Sequence, residues 1–265
     1  MFFILYGKGS NGKSTLVHTI EKMLGSYATS TPTATLISKQ DNEIPNDVAR
    51  LKGARFISAS ETGQAKILDE PLIKQLTSTE PIVARFLHRE FFEFEPTGKI
   101  FLSTNCKPTI RGTDDGIWRR IKLIPFVHQF EGKNKIEHYK ETYLYPEFSG
   151  ILAWAVDGYS KLLEEGFDEP DAVKKATSQY KVSEDVIGSF LNEFCVLQPN
   201  CKASASELYE VFCKNSDMRI RKKEFNDYLF HKGFNRLKGT AGNLKGKYYW
   251  QGIGLKDLTN SNEEI

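Results

Sequence analysis

The sequence predicts an α/β fold, with a parallel-type sheet in the first half of the chain and helices after it. Three observations predict it. Short apolar runs of strand length alternate with segments of helical period. The first of these runs passes through a glycine-rich turn directly into a helix. After about residue 130 the strand-like runs give way to long helical patterns.

Taken in order, residues 2–6, "FFILY", read as a buried strand. From Ser14 to Leu24, Leu16, Val17, Ile20, Met23 and Leu24 recur at helical spacing, and Gly25 stops the helix. Residues 55–60, "RFISAS", form a second apolar strand that ends at Glu61, and "LDEPLIKQLTS" has helical potential. Residues 82–88 and 91–95 read as two strands joined by a turn near His88–Glu90. Two more strands follow, "KIFLSTN" at 99–105 and "IKLIPFV" at 121–127. Beyond them, "FSGILAWAVDGYSKLLEEGF" is an amphipathic helix closed by Gly166, and the next stretch is helical in two pieces. "SASELYEVFCKNS" and "RKKEFNDYLFHKGF" predict two further helices, "KYYWQGIGL" a short hairpin, and "TNSNEEI" a frayed tail. The expected organisation is therefore a core at 1–130, a helical connector at 131–183, a separate module at 184–257 and a tail at 258–265.

Gly7, Gly12, Lys13 and Ser14 fit the pattern G-x-x-x-x-G-K-[ST]. The expected cradle runs through Gly7, Lys8, Gly9, Ser10, Asn11, Gly12, Lys13, Ser14 and Thr15. Its glycines let backbone N–H groups turn inward as a nest, and the helix N-terminus adds its positive dipole end. Lys13 would reach the β- and γ-phosphates of ATP, and the Ser14 hydroxyl would ligate Mg²⁺. This motif alone does not separate an ATPase from a kinase or a GTPase.

Hydrolysis also needs an acid near the γ-phosphate and a group that orders water. Glu61 ends an apolar strand, where an open α/β sheet meets its ligand, and is the candidate for the acid and for metal contact. Asn105 ends the next such strand and is a candidate to bond the water or the γ-phosphate. Arg119 and Arg120, in "GIWRRIKLIPF", are candidates to stabilise developing charge, in their own or a neighbouring subunit.

The ordered series "GKGSNGKST", "RFISASET", "DEPLIKQLTSTEPIVARFLHREFFEFEP", "KIFLSTNCKP" and "GIWRRIKLIPF" resembles the superfamily-three helicases, specifically the poxvirus, phage and plasmid primase-helicase family. The resemblance covers most of residues 2–127. It implies an AAA+-like P-loop ATPase that forms a ring, usually a hexamer, and moves along single-stranded DNA to unwind duplex at a replication fork. By that resemblance Lys13 and Ser14 belong to Walker A and Glu61 to Walker B. Lys74 and Arg85 fall in the third motif, which carries DNA contacts in such rings, Asn105 is the sensor, and Arg119 or Arg120, with Arg120 favoured, is the arginine finger. The hairpin of the third motif would carry His88 and Arg89 into the ring's channel, where basic groups grip phosphates. Two departures stand out: Ser60 precedes Glu61 where many family members have a second acid, and the helical segment and primase or polymerase expected upstream of the first strand are not in this sequence. A piece of a longer chain is the expectation that follows.

Similar helicases close with a winged-helix-like module, and residues 184–257 suit one. Between Phe212 and Lys247 ten basic residues stand against three acids, an excess of seven, while the whole chain carries only +2. Arg221, Lys222, Lys223, Lys245 and Lys247 are the candidate duplex-DNA contacts. Tyr248, Tyr249 and Trp250 read as core residues and not as stacking platforms.

Composition excludes several other classes. The four cysteines, Cys106, Cys195, Cys201 and Cys213, form no C-x-x-C pair and read as free thiols of a reducing compartment. No apolar stretch reaches membrane-spanning length, and "MFFILYG" is too short for a signal peptide, so a cytoplasmic protein without a membrane partner is expected, in the host cytoplasm if viral. Two other readings stay open at this level: a nucleotide-gated DNA-loading factor and a small-molecule P-loop kinase.

Overall fold

The computed structural model describes residues 1–38, 46–61, 66–112, 114–216, 218–240 and 242–256, with backbone alone at Glu61, Asn134 and Leu244. The expected tail at 258–265 lies outside the described residues, as does Asp217, one of the acids counted above. The chain divides into two compact units, one from Met1 to Glu184 and the other from Asp185 onward.

The first unit runs β1 (Phe2–Tyr6), α1 (Lys13–Leu24), β2 (Ala28–Ser30), α2 (Asn46–Ala49), β3 (Phe56–Glu61), α3 (Glu70–Leu76), β4 (Ile82–Ala84), β5 (Phe92–Phe94), β6 (Lys99–Thr104), α4 (Asp115–Trp118), β7 (Ile121–Pro125), α5 (Phe148–Glu165) and α6 (Asp171–Glu184). Five strands make a parallel sheet in the order β2-β3-β6-β1-β7. Its central strands are apolar because both of their faces are covered. On one face Phe2, Ile4, Ile100, Leu102, Ile121 and Leu123 pack with Ile73 and Leu76 of α3, Ile117 and Trp118 of α4, and Tyr180 of α6. On the other, Leu5 and Phe56 pack with Val17 of α1.

Local chemistry sets the helix ends. Asp69 caps α3 by accepting from Leu72 N at 3.0 Å, and Gly25 ends α1 at φ 54°. The carboxylate of Glu70 accepts from Gly112 N at 2.7 Å, which ties the start of α3 to the loop before α4. α6 belongs to the first unit's core. Thr177 Oγ1 accepts from Leu123 N at 3.0 Å and so satisfies the outer edge of β7. The ring of Tyr180 meets Trp118 edge-on at 5.3 Å, and its hydroxyl donates to Pro108 O.

The second unit runs α7 (Val186–Phe194), β8 (Cys195–Ser204), α8 (Ala205–Asn215), α9 (Lys222–His231), β9 (Asn235–Lys238) and β10 (Tyr248–Leu255). Its antiparallel sheet has the order β8-β10-β9. Phe190, Leu208, Phe212, Phe225, Leu229, Trp250 and Ile253 form its core.

Two expectations are corrected here. Within "KYYWQGIGL", Tyr248–Leu255 is one eight-residue strand at the centre of the sheet, not a hairpin by itself. Its Gly252, at φ +90°, sits in the register shift between Gln251 and Ile253 instead of making a turn. The pairing in the β4–β5 hairpin is also shorter than the strands expected at 82–88 and 91–95, because Arg85–Phe91 forms its tip.

Candidate nucleotide and nucleic-acid sites

The sheet register assembles the first site. Tyr6 pairs with Thr104, and Thr104 pairs with Glu61 on its other side. The carboxyl-terminal ends of β1, β6 and β3 therefore lie side by side, and a ligand of an open parallel sheet binds at that edge. Gly7 follows β1 and Asn105 follows β6. The Thr104 hydroxyl donates to Cys106 O at 2.6 Å and accepts from Cys106 N at 3.1 Å. That local ring bends the chain sharply after β6 and leaves Asn105 exposed.

Lys13 is the keystone of the glycine loop. Its ammonium donates to Gly7 O at 2.6 Å, to Lys8 O at 3.1 Å and to Asn11 Oδ1 at 2.9 Å. The side chain is curled inward, the residue is only 6% exposed, and burial lowers its pKa. The loop bends through two left-handed residues, Ser10 at φ 56° and Gly12 at φ 86°, and Gly12 opens α1 without a side-chain cap. Among the described residues no side chain at the cap position takes the first N–H groups of the helix, which lie next to the exposed Ser14 and the half-buried Thr15. Lys8, Gly9 and Ser10 are exposed along the loop.

Sequence reasoning missed the support behind this loop. Phe126 N donates to Tyr6 O at 2.7 Å, Asn11 Nδ2 donates to Phe126 O at 3.0 Å, and Phe130 N donates to Ser10 O at 2.7 Å. The segment after β7 is a backbone brace for the loop, and a backbone role leaves no side-chain signature. Gly7 is required by the same brace, since a Cβ there would overlap the Phe126 carbonyl oxygen and Asn11 Nδ2.

Arg119 and Arg120 are not brought to this edge. Arg120 O accepts from Phe2 N at 2.8 Å, which sets the pair at the amino-terminal edge of the sheet, opposite the loop. Arg120 is half-buried and its Nη1 donates to Gly116 O at 2.5 Å, whereas Arg119 is exposed. Lys74 pairs with Asp114 at 3.1 Å. Partial burial opposes ionisation of that carboxyl, but the bond and charge of Lys74 outweigh it and hold its pKa below the ordinary value.

At the hairpin tip the Arg85 guanidinium lies 4.9 Å over the Phe91 ring. His88 adopts φ 60° and Arg89 N donates to Phe86 O at 3.0 Å, so His88 and Arg89 both stand on an exposed turn. In the second unit Arg221, Lys222 and Lys223 open α9 and are exposed. Lys222 lies 5.6 Å over the Tyr209 ring. Lys245 and Lys247 are exposed in the β9–β10 loop, which Gly239 N closes by donating to Lys247 O at 2.8 Å. Trp250 is buried, while Tyr248, two residues before it, is exposed beneath the Arg236 guanidinium, 4.5 Å away.

The parallel sheet, the glycine loop with its buried lysine and the helix that follows define a P-loop-like α/β core. Residues 5–120 match a family of unknown function (DUF5906). The chain is 29% identical over 229 residues to a protein of Acanthamoeba polyphaga mimivirus named as a "Putative helicase", covering 79% of this chain and 24% of that protein. It is 25% identical over 225 residues to a protein of Frog virus 3 (isolate Goorha), also named as a "Putative helicase", covering 78% of this chain and 23% of that one. The chain thus spans about a quarter of the length of these relatives. A solved structure, the A form of the apo NrS-1 C-terminal region, aligns at a TM-score of 0.49 with 12% identity, over 96% of this chain and 67% of that one. Among the described residues no helix is long and apolar enough to cross a membrane.

Proposed function

We propose that this chain is the motor portion of an ATP-dependent replicative DNA helicase of the superfamily-three, AAA+-like type, from a phage, plasmid, virus or other mobile element. One observation carries the proposal: a buried lysine curled into a glycine loop, beside the aligned ends of the strand that carries Glu61 and the strand that Asn105 follows. The order β2-β3-β6-β1-β7, with a strand between the loop strand and the Glu61 strand, supports it. So does the similarity to viral proteins named as helicases.

In this reading ATP binds along Gly7–Thr15. The loop carbonyls bonded by the Lys13 ammonium release it to the β- and γ-phosphates, and the first N–H groups of α1 take phosphate oxygens. The exposed Ser14 hydroxyl and Glu61 would hold Mg²⁺, which neutralises charge on the phosphates when bound. Glu61 and Asn105 order the attacking water. The cation that stabilises the transferred phosphoryl group comes from a neighbouring subunit of a ring, usually six-membered, since both arginine candidates lie at the opposite edge of their own sheet. Arg119 is the better finger of the two, because Arg120 is engaged with Gly116 O. The β4–β5 hairpin, with Arg85, His88 and Arg89, meets single-stranded DNA in the ring's channel, and Lys74 steadies the third motif through Asp114. The order α7-β8-α8-α9-β9-β10 supports a winged-helix-like module that contacts duplex phosphates through Arg221, Lys222, Lys223, Lys245 and Lys247. The site of action is the cytoplasm, the host's if the source is viral, with a primase or polymerase domain as companion.

The test is ATP hydrolysis with and without single-stranded DNA. Wild type should hydrolyse ATP faster with DNA, and Lys13→Ala should hydrolyse none in either condition. Normal hydrolysis by Lys13→Ala would refute the assignment of the loop.

A further inference from the structure

The tip of the β4–β5 hairpin has the wrong chemistry for a contact with phosphates alone. Ile82, Ala84 and Phe94 point into the core, so the outward positions and the turn should be polar. Instead Leu87 is 70% exposed and Phe91 57% exposed, and Val83 and Phe86 are exposed beside them. The tip is also pre-ordered. Phe86 stacks on Phe92 at 5.5 Å, Leu87 N donates to Asn46 Oδ1 at 3.1 Å, and Arg89 N donates to Phe86 O. Cations are interleaved with these apolar groups: Arg85 covers one side of the Phe91 ring, and Arg89 stands two residues before it. Exposed apolar surface held rigid next to cations fits a ligand that alternates apolar faces with anionic groups.

We propose that the tip grips single-stranded DNA by its bases, with Leu87 and Phe91 against base faces and Arg85 and Arg89 against the adjoining phosphates. This rests on the reading of single-stranded DNA as the track. Every base has an apolar face, so such a grip is sequence-tolerant, as a moving motor requires.

The experiment measures binding of the full chain, with a non-hydrolysable ATP analogue, to oligo-dT and to an abasic oligonucleotide of equal length across a salt series. Wild type should prefer oligo-dT by about tenfold, the scale of one base stacked on an aromatic side chain. Leu87→Ser and Phe91→Ser should each shrink that preference without changing the salt slope, and Phe91→Tyr should keep it. Arg89→Ala should instead reduce the slope by about 0.7 and leave the preference intact. Both serine sites are exposed, so matching melting curves show that the variants fold. Equal affinity of wild type for the two oligonucleotides would overturn the inference, as would serine variants that keep the preference, or serine variants that change only the mass of the protein in solution. ATP hydrolysis without base preference would defeat this inference alone. Absence of both hydrolysis and DNA binding would defeat the helicase reading beneath it.

Discussion

Replacing Lys13 by alanine should destabilise the protein even with no nucleotide present. The Lys13 ammonium makes three bonds inside the loop, at 2.6, 2.9 and 3.1 Å, and leaves Asn11 Oδ1 and two carbonyls without that donor when removed. A bond from a charged donor contributes about 1.5–3 kcal/mol, and a buried acceptor left unpaired costs about 1–3 kcal/mol. Burial of the ammonium offsets part of this, the same effect that lowers its pKa. Water entering the opened loop restores part of the rest. A net loss of about 2 kcal/mol is expected, which for a unit of this size lowers Tm by about 4–8 °C. The assay is thermal unfolding of both proteins, first nucleotide-free and then with a saturating ATP analogue. Wild type should gain about 2.7 kcal/mol at a ligand concentration a hundred times Kd, and Lys13→Ala should gain nothing. If the variant melts with wild type when nucleotide-free, Lys13 is not the keystone of the loop and the reasoning fails.

Further outcomes follow from other sites. Gly12→Ala places a side chain at φ 86° and should cost about 1–2 kcal/mol and weaken ATP binding, as read by urea unfolding and nucleotide titration. Tyr228→Phe removes the 2.9 Å bond to Asp185, the N-cap of α7, and should lower the stability of the second unit by about 1 kcal/mol in urea unfolding. Burial pushes the Cys195 thiol up to about 11, against a smaller opposing pull from Lys256. The folded unit thus keeps a proton that the unfolded chain loses, so this contribution is complete below pH 9 and disappears as pH rises to about 11. Native alkylation at pH 8 should accordingly mark exposed Cys106 and Cys213 and spare Cys195. Finally, Lys13→Ala and Arg119→Ala proteins, each inactive alone, should recover partial ATPase activity when mixed, because some interfaces then pair an intact loop with an intact arginine.

Features whose cause is local were the most legible. "GKGSNGKST" predicts its loop because the glycines, the lysine and the following helix act within a few residues of one another. The strands at Phe2–Tyr6 and Lys99–Thr104 declared themselves through runs that are apolar on both faces. What the sequence could not show was neighbourhood. Nothing in "KIFLSTN" says that this strand lies between those of Gly7 and Glu61, although that placement makes Glu61 and Asn105 neighbours of the loop. The brace from Phe126 and Phe130 was invisible because backbone atoms form it. β8 was missed for a different reason. Pro199–Asn200 reads as a turn, yet it falls where the pairing jumps from Leu197–Ile253 to Lys202–Gln251, on an edge strand that tolerates proline. α5 shows a limit of periodicity: its helical pattern was legible, but none of its residues is buried in this chain.

The central claim is that ATP hydrolysis at this loop drives strand separation, and a strand-displacement assay on a forked duplex tests it most directly. Wild type should release the labelled strand only with ATP and Mg²⁺, and Glu61→Gln should bind ATP and DNA yet release none. ATP-dependent DNA binding by wild type with no displacement would contradict the account and identify a nucleotide-gated switch in place of a motor.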